Sequence, residues 1–132
     1  MPTPQEEANI RLVVDALVTL FNKRDYDAVW EYWSPDYVQR SILIPPGKEG
    51  LFGLMKTLPA EMKWQPGIAV ANDDVVFVHA RLEGHGAPPI VAGDWFRIRD
   101  GQFVEHWDVM QDEVTEAKSL SKRPMFGDAF PS

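Results

Sequence analysis

The stretch IVAGDWFRIRDGQFVEHWDVMQ, residues 90–111, decides the fold. It consists of two alternating runs around Asp100-Gly101, the sharpest turn signal in the chain, because a two-residue hairpin loop of the primed type needs positive φ at both central positions. With these two residues as the loop, Arg99 faces Gln102. The ladder then continues through Ile98 and Phe103, Phe96 and Glu105, Asp94 and Trp107, and Ala92 and Val109 to Ile90 and Gln111. The other face carries Arg97 with Val104, Trp95 with His106, Gly93 with Asp108, and Val91 with Met110. On the first face a carboxyl, Asp94, stands in mid-strand among isoleucine, alanine, phenylalanine and tryptophan.

Loss of water disfavours the charged form of such a carboxyl and pushes its pKa above the ordinary aspartate value of about 3.9. A group tuned in this way moves protons near neutral pH, which is what a general acid or base must do. Glu105 and Gln111 on the same face would add a second carboxyl and an amide, and Trp107 and Phe96 would hold an apolar ligand. The alternative is structural: Asp94 accepts a hydrogen bond from an indole or a backbone amide.

Upstream, residues 75–83 alternate as well, with Val76, Val78, Ala80 and Leu82 in one row and Val75, Phe77, His79, Arg81 and Glu83 in the other. If the loop of residues 84–89 closes so that Glu83 meets Ile90, His79 lies beside Asp94, Arg81 beside Ala92, and Phe77 joins the pocket wall. A slip of one residue would send His79 to the opposite face. His106 and Asp108 fall on the second face in this register and read as structural. Their spacing from His79 or His85 matches no established ligand pattern, so no metal is expected. The row from Val76 to Leu82, with Trp95, Val91 and Met110, is expected to be covered by a second subunit, which makes a homodimer through the sheet face.

Residues 63–71 give a further strand before the Asn72-Asp73-Asp74 turn. Three helices precede it. The first, residues 6–23, places Ile10, Val13, Val14, Leu17, Leu20 and Phe21 at three- and four-residue intervals. A short second helix begins near Asp25 and stops at Ser34-Pro35, and a third carries Leu51, Leu54, Met55 and Leu58 between Pro46 and Pro59. An extended piece, residues 37–44, lies between the last two. Helices first and an antiparallel meander afterwards is an α+β order. The tail, residues 113–132, reads as poorly ordered or dependent on a partner.

The 132 residues suit a single domain, with a core at about residues 6–112. Seven phenylalanines, five tryptophans and three tyrosines are enough to line a cavity as well as fill a core. The net charge of -7 and the lack of a basic run argue against nucleic acid. Without cysteine there is neither a disulfide nor a thiolate nucleophile. The polar, acidic N-terminus lacks the features of a signal peptide and no apolar run is long enough for a membrane, so a cytoplasmic location is expected.

Several runs together resemble the SnoaL-like polyketide cyclase family: FNKRDYDA (residues 21–28), YWSPDYVQ (32–39), GKEGL (47–51), GDWFR (93–97) and DGQFVEHWDV (100–109). That family belongs to the superfamily named after nuclear transport factor two. The resemblance implies a cone-shaped fold in which three N-terminal helices pack on a strongly curved antiparallel sheet and enclose a pocket. It also implies a pocket aspartate, by motif position Asp94, acting as acid and base in an intramolecular aldol closure, helped by a histidine that falls on His79. Tyr37 and Gln39, at the end of the second run, count with the substrate-binding residues, and no metal or organic cofactor is implied. The chain departs from the family after Gln39, where Arg40-Ser41-Ile42 replaces the usual His-Asn-Pro and a guanidinium replaces a titratable ring.

The expected function is cofactor-free proton transfer next to a carbonyl, as aldol cyclisation, retro-aldol cleavage or isomerisation, on a small, largely apolar ligand. A same-fold hydratase or epoxide hydrolase would instead activate water with Arg81, Asp94 and Glu105. A noncatalytic binding or dimerisation domain is the third reading.

Overall fold

The computed structural model describes residues 1–131. Helix α1 (Pro4–Leu17) starts at a capping box, in which the Thr3 side chain accepts from Glu6 N–H while the Glu6 carboxylate accepts from Thr3 N–H. It runs on through a π-helical turn, Val18–Lys23, that ends at Arg24 in the left-handed region. A short helix α2 (Tyr26–Val29), capped by Asp25, passes through a 3₁₀ turn (Trp30–Tyr32) into strand β1 (Trp33–Gln39). Helix α3 (Gly47–Thr57) precedes β2 (Lys63–Asn72), β3 (Val75–Glu83), β4 (Ile90–Arg99) and β5 (Gln102–Asp112).

The sheet order is β1-β5-β4-β3-β2. The meander from β2 to β5 is antiparallel as expected, but β1 lies parallel to β5, which makes the sheet mixed. The three helices pack on its inner face, and the sheet curls around them without closing. Val76, Val78 and Ala80 of β3 are completely buried there, with Val13, Leu17 and Leu20 of the first helical segment in the same core. Of the residues expected to meet a second subunit, Val76 to Leu82 and Met110 thus face the helices and the cavity, while Val91 and Trp95 lie on the outer face.

Two polar side chains fix the helices to the sheet. The amide of Asn22 pairs with the backbone of Trp64, donating to its carbonyl at 2.9 Å and accepting from its N–H at 2.8 Å. Arg24 donates to the carbonyls of Met55 and Pro59 at 2.8 and 2.6 Å, supplying donors to the C-terminal end of α3. Lys48 at the other end of α3 is buried. Its ammonium donates to the carbonyls of Trp30 and Trp33 and lies over the Trp30 ring, so the buried charge is fully engaged.

Two registers differ from expectation, each by one residue. Asp100 and Gly101 do form the hairpin loop with positive φ, and Ile98 faces Phe103. A β-bulge at Val104 then shifts the ladder, so that Arg97 faces Glu105, Phe96 faces His106, Trp95 faces Trp107, and Asp94 faces Asp108. Between β3 and β4, Leu82 rather than Glu83 faces Ile90, and His79 faces Gly93.

The tail is packed rather than loose. Glu113 forms a two-bond ion pair with Arg81 at 2.6 and 2.9 Å. The buried Phe126 ring lies against His79, with Arg81 over its face. Gly67, at an irregularity in β2, makes this possible, because a Cβ there would come within 2.7 Å of the Phe126 ring and 3.0 Å of the His79 carbonyl. Segment 113–131 is thus a strap across one half of the outer face.

Candidate active site

A cavity of about 260 Å³ lies between the helices and the inner face of the sheet. Its walls are mostly apolar, with Phe21, Leu51, Met55, Trp64, Leu82 and Met110 among them. The polar groups gather on β1, β5 and β4, where Tyr37, Gln39, His106, Asp94 and Asp108 line one wall. Leu43 and His85, from the loops after β1 and β3, also line it. Among the described residues that line the cavity there is no lysine or arginine.

The two register shifts decide who is inside. With Val104 bulged out, the even-numbered residues of β5 share the face of Asp94, so His106 and Asp108 enter the cavity wall. Glu105, Trp107 and Gln111, expected in the pocket, turn to the outer face. Glu105 there accepts from Arg40 at 2.6 Å and from Arg97 at 3.3 Å, which hold its carboxyl below the usual range. Both guanidinium groups lie over the Trp107 ring. The shift between β3 and β4 likewise puts Phe77, His79 and Arg81 on the outer face. Of the residues expected at the site, Asp94, Phe96, Tyr37 and Gln39 line the cavity.

The Asp94 side chain is 14% exposed and that of His106 only 5%. His106 Nε2 lies 2.8 Å from Asp94 Oδ1, and His106 Nδ1 lies 2.6 Å from Gln39 Oε1. The His106 ring stacks on Phe96 at 4.7 Å, so it is held on one face and at both nitrogens. Gln39 Nε2 donates to the Tyr37 hydroxyl at 3.0 Å, and Gln39 Oε1 also accepts from Ser41 N–H at 2.9 Å. A continuous chain thus runs from Tyr37 through Gln39 and His106 to Asp94.

Burial pushes the Asp94 carboxyl upward and the neighbouring Asp108 adds to this, while the hydrogen bond and charge of His106 oppose it. Burial also raises the Tyr37 phenol, helped by Asp94 and Asp108. Tyr37 therefore stays protonated across the working pH range and is a hydrogen-bond donor.

Donor atoms of Asp94, His106 and Asp108 lie within 4.8 Å of one another, a spacing that a cation could bridge. His106 Nδ1 is engaged by Gln39, and Nε2 faces Asp94 at 2.8 Å, so a cation there would replace the proton shared by His106 and Asp94.

Sequence reasoning passed over His106 and Asp108, although a signal for them existed. The observed register sets Arg97 opposite Glu105, an ion pair across the strands, and Trp95 opposite Trp107, two large rings that the sequence allows to face each other. The unbulged register sets those residues against Val104 and His106 and loses both.

Helices on a curled sheet around an apolar cavity with one acidic wall make a cone-shaped α+β domain. The chain belongs to the SnoaL-like domain family, which matches residues 14–106. No functionally curated protein matches it in sequence. Among solved structures it is similar to a Kribbella flavida protein provisionally named a ketosteroid isomerase (14% identity, TM-score 0.75, covering 96% of this chain and 98% of that one). It is also similar to IdmH of Streptomyces antibioticus, provisionally a polyketide cyclase (23%, TM-score 0.58, 83% and 94%). A third is an epoxide hydrolase from Mycobacterium tuberculosis (17%, TM-score 0.65, 82% and 86%). At these identities the likeness speaks for the fold.

Proposed function

We propose that this protein catalyses acid/base proton transfer next to a carbonyl, as aldol-type cyclisation, retro-aldol cleavage or isomerisation, on a small, uncharged and largely apolar ligand. The observation that carries the reading is the Asp94 carboxyl, buried at the acidic wall of an apolar cavity and held by His106 at 2.8 Å. As the carboxylate, Asp94 takes a proton from the carbon next to the carbonyl. The electron pair moves onto the carbonyl oxygen, where the Tyr37 hydroxyl donates a hydrogen bond to the developing charge. Return of the proton from Asp94 to the same or another carbon completes an isomerisation, and attack of the enolate carbon on a second carbonyl completes an aldol closure. These side chains supply that chemistry themselves. Two carboxyls with no lysine or arginine beside them among the described residues disfavour ligands bearing carboxylate or phosphate.

The test is deuterium exchange into 2-tetralone in D2O, followed by proton NMR. Acceleration over buffer is expected; tight binding without acceleration would leave a binding domain instead. Water activation is the second reading, favoured by Asp108 standing opposite Asp94. Arg81 and Glu105 are outside the cavity and take no part in it. Styrene oxide hydrolysis without tetralone exchange would select it.

We also infer that a second copy of the chain covers the half of the outer face that the tail leaves open. In support, Trp95, Trp107 and Val109 line a shallow groove there, with Val109 64% exposed. Light scattering of Trp107→Lys should report a monomer where the parent chain is a dimer.

A further inference from the structure

We propose that Gln39 is a positioning residue which, itself oriented by the Ser41 backbone, fixes where the protons sit on both His106 and Tyr37. The inference concerns the site read above as an acid/base centre and deepens that reading.

Ser41 N–H has one hydrogen and can only donate. Its target at 2.9 Å is Gln39 Oε1, which settles the amide: oxygen toward Ser41, nitrogen toward Tyr37. The flipped amide would set two donors against each other. His106 Nδ1 approaches the same oxygen to 2.6 Å, so Nδ1 carries a hydrogen. The neutral imidazole is therefore bare at Nε2, the nitrogen that faces Asp94 at 2.8 Å. That contact holds a single proton, either on the Asp94 carboxyl or on the imidazolium. The opposite neutral tautomer would point a bare Nδ1 at the oxygen of Gln39, lone pair against lone pair.

On its other side Gln39 Nε2 donates to the Tyr37 oxygen at 3.0 Å. This uses a lone pair of the phenol and leaves its hydrogen for the cavity that Tyr37 lines. One amide, held by one backbone N–H, thus leaves a single shared proton between Nε2 and Asp94 on the carboxyl side and a free hydrogen on the phenol side. Phe96, stacked on the imidazole, resists the ring turn that would exchange the two nitrogens.

The test is a long-range proton–nitrogen NMR spectrum of the 15N-labelled full chain, in which only three histidines need assignment. The parent protein should show His106 with Nδ1 protonated. Gln39→Leu should move His106 toward the tautomer protonated at Nε2 and slow tetralone exchange by at least about ten-fold, the scale of losing an orienting partner. Gln39→Glu still accepts from Ser41 and from Nδ1 but cannot donate to Tyr37. It should keep the Nδ1 pattern while exchange still falls. A parent spectrum with Nε2 protonated overturns the proposal, as does a folded Gln39→Leu with an unmoved His106 pattern. If Gln39→Leu does not fold, loss of the Nδ1 pattern in Gln39→Glu overturns it. Failure of the parent protein to exchange tetralone would sink the acid/base reading and leave the NMR result to stand on its own.

Discussion

Strands β3, β4 and β5 show the helices one face and the outside another, and both faces contain acids, a histidine and aromatic rings. On the outer face the charges are answered. Arg97 pairs with Asp74 at 2.7 Å and with Glu105, Arg40 pairs with Glu105, and Arg81 pairs with Glu113. On the inner face Asp94 has only His106, and among the described residues no side chain bonds to Asp108. Polar groups that satisfy one another hold a surface together. Polar groups left with unspent hydrogen-bonding capacity in an apolar container are available to a ligand. One bulged residue, Val104, separates the two populations.

The largest expected effect sets one face against the other. Asp94→Asn should lower tetralone exchange by about 10²- to 10⁴-fold, the usual worth of a general base. Its melting temperature should stay level or rise, because a desolvated charge is removed while Asn can still donate to His106 Nε2. His79→Ala, on the outer face, should leave the rate unchanged; a comparable loss there would dissolve the distinction between the faces.

The pH dependence sharpens the same contrast. Burial raises the Asp94 carboxyl above its ordinary value, so the folded chain holds that proton more tightly than the unfolded chain. Stability should therefore fall as pH rises from the ordinary carboxylate range through the raised value, and level off above it. The melting temperature of Asp94→Asn minus that of the parent should grow across this window. Exchange, which needs the carboxylate, should rise with pH through the same raised value. An acid limb at an ordinary carboxylate pKa would mean that Asp94 is wet.

Next in size is the strap. Phe126→Ala should cost about 3–5 kcal/mol, the range for deleting a buried ring, read from denaturant midpoints, with exchange at low temperature unaffected. Gly67→Ala should cost less, about 1–2 kcal/mol, since the new Cβ meets the edge of the Phe126 ring and the strap can shift. If either change abolished exchange, the outer face would be coupled to the cavity.

Local chemistry explains which of these features could be read in advance. The Asp100-Gly101 loop, the ends of β3 and β4 and the three helical segments follow from turn residues, alternation and three-four periodicity, which neighbouring side chains determine. Alternation picked out Asp94 among apolar neighbours, and the family runs added Tyr37 and Gln39. What escaped depends on partners far away in the chain. The bulge at Val104 is stabilised across the strands by Arg97 with Glu105, and no turn residue marks it. The slip between β3 and β4 is set by a loop of six residues whose length alone fixes no register. Because strand faces alternate with period two, those two single steps exchanged His79 for His106, and Glu105 and Trp107 for Asp108. The strap read as disorder because its one anchoring ring, Phe126, needs the missing side chain of Gly67, far away in sequence, to find its place.

The smallest effect tests whether the outer charges are as ordinary as their pairing implies. Arg40 stands where the family resemblance leads one to expect a titratable ring, yet its side chain is 52% exposed and its guanidinium faces Glu105 on the outer face. An exposed pair of this kind contributes about 0.5 kcal/mol and weakens with salt. Arg40→Ala should change stability by that order in dilute buffer and by nearly nothing in molar salt. Because Arg40, and after it Arg97, hold the Glu105 carboxyl below its ordinary value, the contribution is present at neutral pH and is lost as pH falls through the lowered value. The double change with Glu105→Gln should therefore cost little more than Glu105→Gln alone. Tetralone exchange should not move, since neither side chain lines the cavity. A change in exchange with Arg40→Ala would place the departure from the family pattern inside the chemistry rather than behind it.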